Sequence, residues 1–158
     1  MYHQNCEFAA ARLCGPITNT YEFKSITNHP LETAFETIEE EECIMYHGTS
    51  WEAALSIVTN GFNPDICYQP SIGFGTYLSP CVRVATSHTP DKIVIQCRVK
   101  LGKTKVFNEY ELGYVRGSED STKLRSNAEF VVYDKKRILP SAMLISSFVY
   151  DENHQGVW

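Results

Sequence analysis

The sequence is poor in the features that would place it in a membrane, on a nucleic acid or in a disulfide-stapled scaffold. No apolar run approaches the length of a membrane span. The start Tyr2-His3-Gln4-Asn5 lacks the charged-then-apolar pattern of a secretory signal. With 14 Lys and Arg against 19 Asp and Glu, the formal net charge of −5 supplies no basic footprint for a nucleic acid. The small cluster Lys100, Lys103 and Lys105 reads as a solvated turn. None of the six cysteines forms a Cys-x-x-Cys pair, and neither Cys43 with His47 nor Cys81 with His88 has the spacing of a common structural zinc site. Reduced thiols, no metal, no membrane association and a soluble cytoplasmic protein are the expectations that follow.

There is no internal repeat and no low-complexity tract beyond the four glutamates Glu39 to Glu42. At 158 residues the chain suits one compact domain. Within it, residues 1–42 read as an N-terminal lead-in and helix, and residues 43–158 as the main body. The first 28 residues are poorly periodic, with Cys14-Gly15-Pro16 as a turn. From Asn28 a helix is predicted, with Pro30 in its first turn and Leu31, Ala34, Phe35 and Ile38 as one apolar stripe. The glutamate run after it reads as solvated.

Cys43-Ile44-Met45-Tyr46 reads as a short buried strand ending at His47-Gly48, and Thr49 with Glu52 has the spacing of a capping box. A helix from Trp51 to Asn60 is predicted, with Trp51, Ala54, Leu55 and Val58 inward and Gly61 as its stop. After a loop from Phe62 to Phe74 comes a strand at Thr76-Tyr77-Leu78. Ser79-Pro80 then starts a short helix over Cys81 to His88. Alternation from Ile93 to Leu101 is the strongest strand signal and predicts an interior position. Residues 108–127 read as a long polar loop. Strands at Glu129 to Tyr133 and Ala142 to Val149 flank a connection from Asp134 to Pro140. The fold class that follows is α+β, with strands dominating the second half.

Three motifs carry the chemistry. Tyr46-His47-Gly48-Thr49, Gly75-Thr76-Tyr77-Leu78-Ser79 and the apolar strand led by Glu129 point, in that order, to a site that holds a nucleotide cofactor and breaks a glycosidic bond. Taken singly each residue has a plainer reading: His47 as a satisfied strand-end histidine, Tyr77 as a core aromatic, Glu129 as a solvent-facing residue on an edge strand. Their joint order favours the functional reading.

In that order the motifs, with the Ile93 to Gly102 strand and Pro140 to Ile145, resemble the catalytic domain of poly(ADP-ribose) polymerase-type ADP-ribosyltransferases over about residues 43–150. Size and bareness also resemble the fish interferon-inducible antiviral family named for induction by grass carp reovirus. The resemblance implies an ADP-ribosyltransferase-like fold of largely antiparallel sheets and short flanking helices around an NAD cleft. It implies NAD as substrate, with His47 on the adenine-side ribose and the Gly48 backbone on the nicotinamide carboxamide. Thr49 would lie near the ribose, or its hydroxyl could cap the following helix. Tyr77 would pack beside the nicotinamide, and Glu129 would be the catalytic carboxylate that stabilises positive charge on the ribose.

The second aromatic platform of the family falls at His88, and a hydroxyl that binds the carboxamide in many members falls at Ala85. Both departures weaken the expected hold on NAD. Three functions therefore compete. The first is an enzyme that transfers single ADP-ribose units to a protein acceptor, with an antiviral, interferon-linked setting. The second is an inactive NAD- or ADP-ribose-binding scaffold that engages signalling partners in the interferon response. The third is RNA or DNA binding, or modification of a nucleic-acid end; the acidic balance disfavours broad nucleic-acid affinity and leaves a terminal phosphate open as acceptor.

Overall fold

The computed structural model describes residues 21–146 apart from residues 70, 71, 88, 90, 92, 109, 111, 112, 126 and 127. Two four-stranded sheets form its frame. The first has the order β1-β10-β6-β2, from Tyr21–Ser25 (β1), Ile138–Ser146 (β10), Ile93–Val99 (β6) and Cys43–Thr49 (β2), and all its pairings are antiparallel. The second has the order β5-β9-β8-β7, from Thr76–Leu78 (β5), Glu129–Val132 (β9), Ser121–Leu124 (β8) and Thr104–Phe107 (β7). Only its β7–β8 pair is parallel. A two-stranded hairpin, Tyr68–Gln69 (β3) with Gly73–Phe74 (β4), stands apart from both. Three short α-helices, Glu32–Glu36 (α1), Trp51–Asn60 (α2) and Val82–Ser87 (α3), and two 3-10 turns, Pro64–Ile66 and Lys135–Arg137, complete the described elements. The α+β expectation holds in this form.

As its alternation predicts, β6 is interior, flanked by β10 and β2, with Ile93, Val94, Ile95, Cys97 and Val99 buried. Ile93, Ile95, Cys97 and Val99 meet Met45, Ala54, Ile57, Leu78, Phe130 and Ile138 in the largest apolar cluster, between the first sheet, α2 and the inner face of the second sheet, while Val94 packs with Val82, Ala85 and Leu144. Residues 21–25, expected within a lead-in, pair with β10 as an edge strand of the first sheet. Every described side chain of β1 is exposed, so it shows no alternation to read.

α2 has the predicted span, but Ala54 and Ile57 are the buried positions, while Trp51 and Leu55 are 46% and 48% exposed. Its cap also differs from expectation. Ser50 Oγ accepts from Ala53 N–H at 3.2 Å, which makes Ser50 the N-cap and leaves Thr49 as the last residue of β2. Gly61, at φ +84, ends the helix as predicted.

Two charge readings change. Lys100 is buried rather than solvated: its Nζ donates to the carbonyls of Phe35 at 2.7 Å and Ile38 at 2.6 Å, closing the C-terminal end of α1. Within the glutamate run, Glu42 forms a two-bond pair with Arg98 at 2.9 Å, and Glu40 holds Arg137 at 2.7 Å. The run is therefore partly a strap between α1 and the sheets. Cys43, Cys67 and Cys97 are free, but Cys81 is disulfide-bonded, which corrects the expectation that all six thiols are reduced. Among the described residues no group of three His, Cys, Asp or Glu is placed to hold a metal, and no helix is long and apolar enough to cross a membrane.

Candidate functional site

A backbone bridge joins one edge of each sheet, and the candidate residues gather beside it. Tyr46 N–H donates to the Ser79 carbonyl at 2.8 Å and Ser79 N–H to the Tyr46 carbonyl at 2.9 Å, joining β2 to the end of β5. Backbone polar groups of successive residues in an antiparallel strand point to opposite edges, so those of residues two apart share an edge. Gly48, two residues past Tyr46, therefore turns its N–H and C=O away from β6, toward the gap between the sheets. A donor and an acceptor on one residue edge match the acceptor and donor of a primary carboxamide.

The glycine itself has a structural cause. A Cβ at position 48 would collide with the backbone carbonyl of Ala85, because α3 lies directly against this stretch of β2. The close approach that excludes a side chain here is made by α3, so the residue type alone says nothing about a ligand.

His47 is half-buried. Its Nδ1 lies 2.7 Å from the Tyr77 carbonyl, which can only accept, so Nδ1 carries a proton and donates it there. The edge of Phe62 packs against the imidazole at 5.0 Å between centroids, fixing its plane. Tyr77 carries its hydroxyl to the Gly73 carbonyl at 3.0 Å. Burial, together with Tyr133 and Glu129 nearby, pushes that phenol well above its ordinary range, so Tyr77 is a ring and not a proton carrier.

Glu129 opens β9, which lies between β5 and β8, and it is only 6% exposed. The reading of a solvent-facing residue on an edge strand is thereby excluded. Tyr77 pairs with Val131, two residues from Glu129, so Tyr77 and Glu129 share one face of the second sheet. Ala128, at φ +48, makes the sharp approach to the strand, and its carbonyl lies 3.4 Å from Ser79 Oγ.

His47, Gly48, Tyr77, Ala85 and Glu129 line a single cleft of about 300 Å³, at the small end of ligand-pocket sizes. Four of the six predicted site residues thus come together. Thr49 does not line it: it is buried at the end of β2, and its carbonyl accepts from the Thr89 hydroxyl. His88 lies outside the described residues. Ala85 puts no hydroxyl into the cleft, as its sequence position implied.

Cys67 and Tyr68 also line the cleft and were not anticipated. They sit in a stretch with no periodicity, and only the later pairing of β3 with β4 brings them to the rim. Burial pushes the Cys67 thiol up, away from the reactive thiolate.

No protein-family model matches the sequence, and a search of curated proteins gives no match. Among solved structures, the crystal structure of the TASOR pseudo-PARP domain is similar, with a TM-score of 0.68 and 12% identity, covering 91% of this chain and 94% of that one. Identity this low speaks for the fold alone. Nothing found connects the chain to the fish antiviral family. Two mostly antiparallel sheets meeting at a cleft, with a solved neighbour matched over nearly its whole length, establish that the chain has a poly(ADP-ribose) polymerase-like fold.

Proposed function

We propose that the chain is an ADP-ribosyltransferase domain that takes NAD and passes single ADP-ribose units to a protein acceptor. The observation that carries this reading is the convergence of His47, the Gly48 backbone edge, Tyr77 and buried Glu129 on one cleft. Loss of nicotinamide from NAD develops positive charge on the ribose. A fixed carboxylate in a site partly shielded from water stabilises that charge more than water does. The same carboxylate can orient or deprotonate the acceptor nucleophile. The Gly48 edge would hold the carboxamide, Tyr77 would support the ring, and His47 would hydrogen-bond a ribose hydroxyl. An antiviral, interferon-linked setting is kept as part of the proposal and rests on the sequence resemblance alone; a cytoplasmic setting is kept with it and rests on the sequence pattern of the chain's start.

A second reading is an inactive module that binds partners through the same scaffold. The small cleft and the missing hydroxyl at Ala85 favour it, and the similar solved domain is itself described as a pseudo-PARP. Incubation with labelled NAD separates the two. The enzyme reading expects label on protein from the wild type and a loss of about 10²-fold in Glu129→Gln. Equal, background-level labelling in both proteins would leave the scaffold.

A further inference from the structure

Outside the cleft, Arg116 on the β7–β8 connection lies near Lys103 and Lys105 at the start of β7, and its surroundings differ from those of Arg98 and Arg137. Arg98 is satisfied by Glu36 and Glu42, and Arg137 by Glu40 and Asp120. Arg116 has no ion pair among the described residues. Its guanidinium instead lies 3.9 Å over the ring of Tyr133. A stacked guanidinium uses its face for contact and keeps its edge donors for an outside acceptor.

The segment that carries Arg116 is anchored from below. Tyr114 bonds through its hydroxyl to Glu119, to Thr122 Oγ1 at 2.7 Å and to the Tyr133 hydroxyl at 3.0 Å. Thr122 Oγ1 meets the Tyr133 hydroxyl at 2.7 Å. Glu119 is buried and also accepts from Gly117 N–H at 2.9 Å. Glu119 is thus engaged inward, and Asp120 accepts from Lys103 N–H at 2.8 Å and pairs with Arg137. Above the network, Lys105 Nζ lies 5.0 Å over the Tyr114 ring and donates to the Val115 carbonyl at 3.1 Å, while Lys103 Nζ donates to Ser118 Oγ at 3.1 Å. Each ammonium keeps further donors, and Val115, 74% exposed, stands beside Arg116.

We propose that this segment, with Arg116 at its centre and Lys103 and Lys105 beside it, is a docking surface for an acidic stretch of a protein partner. Three cations held in place by a buried hydrogen-bond network lose little order when an anion arrives. Planar Arg116 fits a carboxylate through two parallel bonds. Exposed Val115 provides one apolar contact among the charges. A nucleic acid is the poorer fit, because phosphate backbones need a longer basic track and the chain as a whole carries −5. The surface is independent of the cleft and of whether the cleft turns over NAD.

The test is fluorescence anisotropy of the full chain with a short labelled peptide of alternating Glu and Asp around one Leu. Binding that weakens with salt is expected, with losses of about tenfold for Arg116→Gln and severalfold for Lys105→Gln. Lys24→Gln, on the first sheet, should change nothing. No binding at millimolar peptide, equal binding by the Arg116→Gln and wild-type chains, or tighter binding of an RNA oligomer of equal charge would each overturn the proposal. All three substituted positions are exposed, so circular dichroism should show the variants folded like the wild type.

Discussion

In the first sheet the central strand buries Ile93, Val94, Ile95, Cys97 and Val99, whereas the second sheet buries Thr76, Ser121, Thr122 and Glu129 among its apolar residues. The first is held by contact between side chains that make no hydrogen bonds of consequence, and its cohesion follows the apolar area removed from water. The second depends on polar groups being matched: Ser121 Oγ donates to the Leu101 carbonyl at 2.8 Å, and Thr122 joins the network with Tyr114 and Tyr133. One polar group fails to be matched, since Thr76 Oγ1 is buried with no partner among the described residues. The contrast assigns most of the fold's cohesion to the first sheet, while the candidate cleft draws on the end of β2 and on the polar face of the second sheet.

Changes that break the first sheet should have the largest effect. Ile95→Ala, at a position with no exposed surface, should cost about 2–5 kcal/mol in urea unfolding. A cost well below this range would mean that β6 is not the keel. Next comes Gly48→Ala. Its methyl meets the Ala85 backbone carbonyl, so α3 must move, and a loss of about 1–3 kcal/mol is expected from thermal melts.

The polar sheet should reveal itself through pH. Burial opposes ionisation of Glu119, but hydrogen bonds from Tyr114 and from the backbone N–H groups of Glu119 and Gly117 prevail, holding its carboxyl below the ordinary range. A depressed folded-state pKa contributes stability that is present above the unfolded value of about 4.3 and is lost as pH falls through the folded value. Urea midpoints from pH 7 to 3 should therefore drop less steeply for Glu119→Gln than for the wild type below about pH 5. Parallel curves would remove Glu119 from the account of the segment's anchoring. The smallest effect has the opposite sign: Thr76→Val deletes a hydroxyl without a partner and should stabilise by up to about 1 kcal/mol. A clear loss would show that the hydroxyl is satisfied in solution.

The same contrast explains what could be read from the chain. β6 is legible because apolar alternation reports burial directly; the span of α2 is legible, but its apolar residues are too many to show which face is buried, and Trp51 and Leu55 are exposed. β5 and β9 are short but bounded by turn residues. β7 and β8 are not legible. Ser121-Thr122-Lys123-Leu124 is buried through hydrogen bonds, which leave no hydrophobic pattern, so the sequence reads as loop. β10 begins at Ile138, earlier than expected, because Pro140 sits where the register shifts against β6 and costs no ladder bond there. Lys100 looks like surface by composition, and only the carbonyls at the end of α1 make its burial tolerable.

Of the site, His47, Gly48, Tyr77 and Glu129 were legible because their motifs occur in family order. Thr49 was misplaced because Ser50 offers an equally good cap one residue on. Cys67 and Tyr68 reach the cleft through a hairpin of two-residue strands, too short to leave a periodic trace.

The most direct test of the central claim reads two quantities on one variant. Glu129→Gln is nearly isosteric and sits on the polar sheet, so its unfolding free energy should stay within about 1 kcal/mol of the wild type. Its rate of nicotinamide release from NAD should fall by about 10²-fold. Unchanged release, or a loss of stability comparable to that of Ile95→Ala, would contradict the assignment of Glu129 to chemistry.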